Sequence, residues 1–438
     1  MSLKEIDSKG NFSLTTTDKI IHENKNRFKD WMCSAGLKGL HIDNDGNIWK
    51  AVCFSAAVDK FNYTGWGNFI KDKAQEQGFF KSDFFQKEKF SDWKTNHPKY
   101  YTKYSKEYKK KIESYQKFIF ANDKTSYKGI VGNIYEGFFE TREGILNYTK
   151  CPFDSCGCGS DIWYPKIKSI EEEKYCLNLS KQDPVNLKNN KTINLSALEP
   201  NYKIDYQVLW DLSRHCNYSC DYCWPSTHSP YSSDLKSSTV INLLDIIINW
   251  LLNPNKEEKN KIKTRFFFGG GEPTIFPEFL EICQWLYDND QIISLSTNGT
   301  NSLDYYNKLA HFADNFLFSV HFKSMRDFKI KNEKGILDNI NKVIDVNKTL
   351  YDRDKWVEIK IMSPPGYVKK SIEFYKKCIK ETDILKKSKK CFDKKNIFQR
   401  SNGSVTIVPI REIGQSNKKA VYEKEELLLL EEFYANII

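Results

Sequence analysis

Cys216-Asn217-Tyr218-Ser219-Cys220-Asp221-Tyr222-Cys223 sets three thiols within eight residues, just after an apolar, strand-like run from Tyr206 to Leu212. Three closely spaced thiolates can hold three corners of a cubane iron–sulfur cluster. No fourth cysteine lies close by. One iron would then stay open to a small molecule, by the logic that leaves a catalytic zinc an open position. Zinc itself, with His215 or His228 as fourth ligand, is the alternative. Zinc motifs usually pair two cysteines closely and set the other pair farther off, so three in eight residues match them poorly.

Downstream of the triplet the pattern alternates. Val240 to Leu252 reads as a buried helix, Arg265 to Phe268 as a strand ending in glycines, and Glu278 to Tyr287 as a helix. Strand Ile292 to Ser296, helix Leu303 to Phe312, strand Phe316 to Val320 and helix Ile336 to Val346 follow. Strand Val357 to Met362, helix Ile372 to Ile379 and strand Val405 to Ile410 complete the series, and Glu423 to Tyr434 reads as a terminal packing helix. Six strands joined by helical crossovers predict a parallel α/β arrangement. In such folds the active site lies at the C-terminal ends of the strands. Gly269-Gly270-Gly271-Glu272-Pro273, Ser296-Thr297-Asn298-Gly299, and Ser319 with His321 all fall at such ends, and Lys360 lies on the fifth strand.

The C-x3-C-x2-C spacing, with aromatic Tyr222 before the last cysteine, resembles that of the radical S-adenosylmethionine (SAM) superfamily, and the likeness extends over residues 204–410. The resemblance implies a partial (β/α)6 barrel of the TIM type and a [4Fe–4S] cluster on Cys216, Cys220 and Cys223, with SAM on the open iron. It also implies that Gly269, Gly270, Gly271 and Glu272 meet the SAM amino group. A carboxylate can accept from an ammonium with charge assistance. Tyr222 would approach the adenine, and Ser296, Asn298, Ser319, His321 and Lys360 would contact the ribose, the methionine carboxylate or the substrate. Strand-end capping for Ser296 to Asn298, and solvent-facing positions for His321 and Lys360, are the plainer alternatives. In such enzymes the reduced cluster cleaves SAM to a 5′-deoxyadenosyl radical, which takes a hydrogen atom from the substrate; a flavodoxin- or ferredoxin-type protein supplies the electron.

A second set of cysteines stands in the N-terminal half. Lys38 to Cys53 reads as a β-hairpin: Leu40 and Ile42 alternate with polar neighbours, Asn44-Asp45-Gly46 makes the turn, and Ile48 resumes the strand. Cys33 and Cys53 bracket it, and Cys151, Cys156 and Cys158 follow among small residues. The set is similar to the auxiliary-cluster modules called SPASM or twitch domains, which implies a second [4Fe–4S] cluster on four of these five cysteines. Here the module precedes the radical SAM core, whereas in relatives it follows. Zinc is the alternative occupant. Cys176, Cys283, Cys378 and Cys391 stand alone and read as ordinary thiols.

The expected organisation is a smaller α+β cluster-binding domain over residues 1–200 and a radical SAM core over 201–438. The first carries a Lys- and Tyr-rich helical insertion at about residues 59–125, where Tyr101, Tyr104, Tyr108, Ile112 and Tyr115 recur at helical spacing after Pro98. Residues 177–203, polar and rich in Asn and Lys, read as the connection. The chain has 438 residues, 40% hydrophobic and 28% charged, with no apolar run long enough to span a membrane. Residues 1–25 lack the apolar core of a signal peptide. A cytoplasmic enzyme with no membrane partner is the expectation, and twelve cysteines in that compartment favour metal over disulfides. The net charge of +10 allows an anionic partner. A peptide or protein side chain is the leading substrate class, on the SPASM resemblance. RNA or a nucleotide-linked metabolite is the alternative, on the basic, aromatic block 87–117 and Lys376 to Lys395. A metal-stabilised binding protein without catalysis is the third reading.

Overall fold

The computed structural model describes residues 2–16, 25–44, 46–53, 130–134, 137–151, 164–168, 195–200 and 205–223 without 219 and 221. It further describes 235–255, 262–322, 356–381, 389–393, 396–400, 403–410, 412–413, 418–419, 421–435 and a few isolated positions. Two compact units emerge: residues 1–209 with 247–264, and residues 210–246 with 265–438.

The first unit holds an antiparallel sheet and an antiparallel meander. β1 (Ser2–Asp7) pairs with β2 (Phe12–Thr16), and β3 (Met32–Cys33) belongs to the same sheet. β4 (Gly39–Ile42), β5 (Asn47–Trp49), β6 (Ile130–Asn133) and β7 (Phe138–Phe139) form a meander. A short helix, α1 (Arg142–Ile145), is capped by the Thr141 side chain, which accepts from the Gly144 N–H. β8 (Thr149–Lys150), β9 (Lys166–Ile167) and β10 (Leu195–Pro200) complete the first sheet in the order β2-β1-β10-β9-β3-β8. β10 lies inside the stretch 177–203 that the sequence presents as a connection. Its partner β1 is nearly two hundred residues away, so no local signal marks it.

The hairpin expected between Lys38 and Cys53 is present as β4 and β5, with His41 opposite Trp49 and Ile42 opposite Ile48. Its turn is held by Asp43, whose carboxylate accepts from the Asn47 N–H, the Asn47 amide and the Trp49 indole N–H at 2.7–3.0 Å. Gly46 takes φ 79°, which glycine adopts at no steric cost.

β11 (Tyr206–Ser213) runs across the boundary between the units. In the second unit the strands lie in the order 403–409, 356–363, 315–321, 292–297, 264–270 and then β11, a largely parallel sheet. α2 (Ser237–Asp245) continues as a wider π-helical turn, Ile246–Leu252, so the helix expected over 240–252 changes its winding midway. β12 (Thr264–Gly270), β13 (Ile292–Thr297), β14 (Asn315–His321), β15 (Trp356–Ser363) and β18 (Gly403–Pro409) pair in parallel. α3 (Phe279–Asp288) buries Phe279, Ile282, Cys283 and Leu286, the spacing of one helical face. α4 (Leu303–Leu309) starts at Ser302, whose hydroxyl accepts from the Tyr305 N–H. α5 (Val368–Glu381) and α6 (Lys424–Ala435) match the later expected helices. A hairpin of β16 (Lys389–Asp393) and β17 (Asn396–Arg400), unforeseen from the sequence, interrupts the alternation before β18.

The strands show why this sheet forms. Phe316, Phe318 and Val320 of β14 are buried, while Leu317, Ser319 and His321 alternate with them on the other, half-buried face. Phe266 and Phe268 of β12, Leu295 of β13 and Ile359 of β15 extend the buried side. The chain is thus a mixed α/β protein with a large, mostly parallel sheet. Among the described residues, no helix is long and apolar enough to cross a membrane. The helix expected over 336–346 and the aromatic stripe from Tyr101 to Tyr115 lie outside the described residues, apart from isolated positions.

Candidate active site

The C-terminal ends of β11 to β14 carry the candidate site. After β11 the chain turns through Arg214 and His215 into the cysteine loop, and the turn after β12 is bonded onto it. The Gly271 N–H donates to the Ser213 carbonyl at 2.7 Å and the Glu272 N–H to the His215 carbonyl at 2.8 Å. This explains the glycines. A Cβ at Gly271 would collide with the His215 carbonyl, and one at Gly270, where φ is 97°, would sit 2.6 Å from the Ser213 oxygen. Gly270 and Gly271 thus let this turn pack against the cysteine loop.

Glu272 is buried, with 1% of its surface exposed. One carboxylate oxygen accepts from the Thr274 N–H at 3.1 Å, the Thr274 hydroxyl at 2.5 Å and the Thr297 hydroxyl at 2.7 Å. The other accepts from the Asn298 N–H at 2.6 Å. Burial pushes its pKa up, while the bonds from Asn298, Thr274 and Thr297 pull it back. Glu272 therefore joins the end of β12 to the end of β13. Thr297 in turn bonds the Tyr306 hydroxyl at 2.9 Å.

Asn298 reaches the cysteine loop. Its amide donates to the Asn217 side-chain oxygen at 2.8 Å and, more weakly, to Cys216 Sγ at 3.9 Å. The Tyr218 N–H also faces Cys216 Sγ, at 3.4 Å. Asn217 donates to the Thr300 hydroxyl at 2.8 Å. Asn217, Thr297, Thr300 and Tyr306 belong to this network without having been singled out as site residues. Asn217 lies inside the cysteine motif and Thr297 inside the Ser296–Gly299 strand-end motif, and those placements were the only signals.

Cys216, Cys220 and Cys223 meet in one apolar cluster with Tyr218, Tyr222, Met362 and Ile410. Burial raises the Cys216 thiol to about 12, and the charges of Glu272 and Cys223 add to this; the Tyr218 N–H and the Asn298 amide act against them. Left to itself such a thiol stays protonated. A bound metal centre inverts that balance, because ligation deprotonates a thiol outright. Among the described residues, no three His, Cys, Asp or Glu side chains are grouped closely enough to hold a single metal ion. Three thiols in one apolar cluster, with two N–H donors on the first sulfur, fit an extended iron–sulfur centre.

His321 closes β14 and is turned toward this loop. Its Nδ1 lies 2.7 Å from the Tyr222 hydroxyl and 3.6 Å from Cys220 Sγ, and burial lowers its pKa to about 4. Ser296, Ser319 and Lys360 share the half-buried face of the parallel sheet. Ser319 is paired with Lys360 in register, and the Lys360 ammonium is 3.6 Å from the Glu358 carboxylate.

In the first unit, Cys33 ends β3 and is buried; Cys151 follows β8 and is buried; Cys53 is half-buried. Cys33 is paired with Thr149, and the Cys151 N–H donates to the Trp31 carbonyl at 2.8 Å. By strand alternation Cys33 and Cys151 fall on one face. The Gly36 N–H donates to the Lys50 carbonyl at 3.1 Å, which brings the turn after Cys33 beside the segment leading to Cys53. Cys156 and Cys158 lie outside the described residues. Cys283 and Cys378 are buried in helices, as expected of ordinary packing thiols.

A protein-family model described as the radical SAM superfamily matches residues 210–378. GTP 3′,8-cyclase of Pasteurella multocida (strain Pm70) is 31% identical over 96 residues, 22% of this chain and 26% of that protein. The S-adenosylmethionine-dependent nucleotide dehydratase of Selenomonas ruminantium is 26% identical over 99 residues, 23% of this chain and 32% of that one. These matches span about a quarter to a third of the length of those relatives. Among solved structures, Streptococcus suis SuiB bound to S-adenosylmethionine aligns with a TM-score of 0.35 at 14% identity, over 62% of this chain and 54% of that one. A score this low establishes no common overall fold. The matched segment contains the cysteine triplet, the glycine turn, Asn298 and His321 together. Residues 210–378 therefore carry a radical SAM superfamily domain.

Proposed function

We propose that this chain binds a [4Fe–4S] cluster through Cys216, Cys220 and Cys223, cleaves SAM reductively, and takes a hydrogen atom from a peptide or protein side chain. The observation that carries this reading is the meeting of the three thiols in one apolar cluster, tied by Asn298 and Glu272 to the ends of the neighbouring strands. When bound, the cluster and SAM supply the one-electron chemistry; the protein supplies orientation and a dry, shaped site. Tyr218 and Asn298 direct N–H groups at Cys216. Glu272 would keep the SAM-facing turn rigid, and its oxygen that accepts from the Asn298 N–H has a further lone pair with which it could receive an ammonium. Gly269 to Gly271, Tyr222, Ser296, Ser319 and Lys360 are the further candidates for contact with SAM or substrate. The electron would come from a flavodoxin- or ferredoxin-type partner.

The peptide assignment rests on the SPASM-like set Cys33, Cys53, Cys151, Cys156 and Cys158, read as ligands of an auxiliary cluster within an N-terminal module. The second reading, a nucleotide-linked substrate, is favoured by the two curated relatives, whose names refer to nucleotides.

The test is anaerobic reconstitution with iron and sulfide, then reduction with SAM present. The expected result is 5′-deoxyadenosine from the wild-type chain and none after Cys216, Cys220 and Cys223 are replaced by Ala. Equal production by both proteins refutes the reading. Stimulation of turnover by nucleotides, and not by peptides, would move the substrate class to the second reading.

A further inference from the structure

His321 is held from three sides. Its ring stacks on Tyr222 with centroids 5.8 Å apart and planes inclined by 20°, and meets Tyr218 edge-on at 5.9 Å. Its Nδ1 faces both the Tyr222 hydroxyl at 2.7 Å and Cys220 Sγ at 3.6 Å. A neutral imidazole has one donor and one acceptor nitrogen, so Nδ1 serves these two neighbours in only one role at a time. With Cys220 as a thiol, the Tyr222 O–H can donate to Nδ1 and the ring proton sits on Nε2. A thiolate only accepts. Once Cys220 ligates iron, its proton having left to solvent, both the sulfur and the Tyr222 oxygen lie within reach of a single Nδ1–H.

We propose that His321 takes the Nδ1–H tautomer in the loaded enzyme and donates to Cys220 Sγ, positioning the second cysteine ligand and tuning the cluster's reduction potential. The imidazole stays neutral throughout and exchanges Nε2–H for Nδ1–H. This rests on the ligand set proposed above and changes the part His321 plays: its stacked face and Nδ1 are committed to the cysteine loop. A hydrogen bond to a ligating sulfur favours the more negative, reduced cluster and so raises the potential. The buried setting strengthens the bond. Because the potential governs how readily SAM is cleaved, His321 acts on the chemistry through Cys220.

The experiment uses full-length, anaerobically reconstituted protein. The paramagnetic signal that changes when SAM is added identifies the cluster at Cys216 to Cys223. Protein labelled with 15N only in histidine should show a weak nitrogen coupling on that signal in pulsed EPR. Redox titration of the same signal should give a more negative midpoint in His321→Leu. His321→Asn, whose amide N–H occupies the Nδ1 position, should return it toward the wild-type value. Absence of the histidine coupling in the unmutated protein overturns the proposal however the variants behave. So does an unchanged midpoint in His321→Leu. A wild-type protein with no SAM-responsive signal refutes the cluster assignment itself, and the proposal with it, so the two failures are told apart.

Discussion

At Gly271 the reason for a single residue is visible: the absent side chain makes room for the His215 carbonyl, so that two N–H bonds can join the β12 turn to the cysteine loop. Gly271→Ala must push backbone against backbone, which has no flexible end to yield. Forced overpacking of this kind costs about 1–3 kcal/mol and often more against backbone. In a domain of this size that lowers the melting temperature by about 2–4 °C per kcal/mol. Thermal denaturation checks it, and a variant that melts with the wild type would show that the turn moves freely. The residues most legible in the sequence were those with unusual spacing, the three cysteines and the glycine run. The roles of Thr297, Tyr306 and Asn217 were not legible, because a threonine, a tyrosine and an asparagine acquire meaning only from the partners that folding brings to them.

Among elements, the β4–β5 hairpin was readable from Asn44-Asp45-Gly46 and the alternation around it, and β12 to β15 from their apolar runs. β10 and the β16–β17 hairpin were not, since their short strands mix apolar with polar residues and their partners decide them. The hairpin also carries a titratable feature. Lys50, directly after β5, is buried beside Gly36, and desolvation lowers its pKa from 10.5 to about 8, with the Glu140 charge opposing. Below pH 8 the ammonium is charged in both folded and unfolded chains, and the full cost of burying it is present. Between about 8 and 10.5 the unfolded chain holds more protons than the folded one, so stability contributed by this group rises with pH and levels off above. Lys50→Met removes the charge while keeping much of the stem. The variant should therefore be more stable than the wild type at pH 7, with the gap closing as pH rises through that window. Denaturant titrations at several pH values measure it; a gap independent of pH would mean that Lys50 is not desolvated.

For the whole molecule, the cysteine sets in the two units make a stoichiometric prediction. If both hold four-iron clusters, the reconstituted chain carries about eight irons, and Cys33→Ala with Cys151→Ala lowers this to about four. The SAM-responsive signal should survive that change. About four irons in the wild type, with bound zinc, would instead assign a zinc site to the first unit. What the sequence by itself determined is the thiol motif and the strand–helix alternation of the second unit: thiol spacing is a local covalent property, and the alternation of apolar runs follows from helix and strand periods, so both can be read without coordinates. Tertiary structure alone decided how that site is assembled. The burial of Glu272, the amide of Asn298 over Cys216, and the imidazole of His321 against Cys220 join residues 26 to 101 positions apart. Such contacts exist only when the sheet has set the ends of its parallel strands side by side.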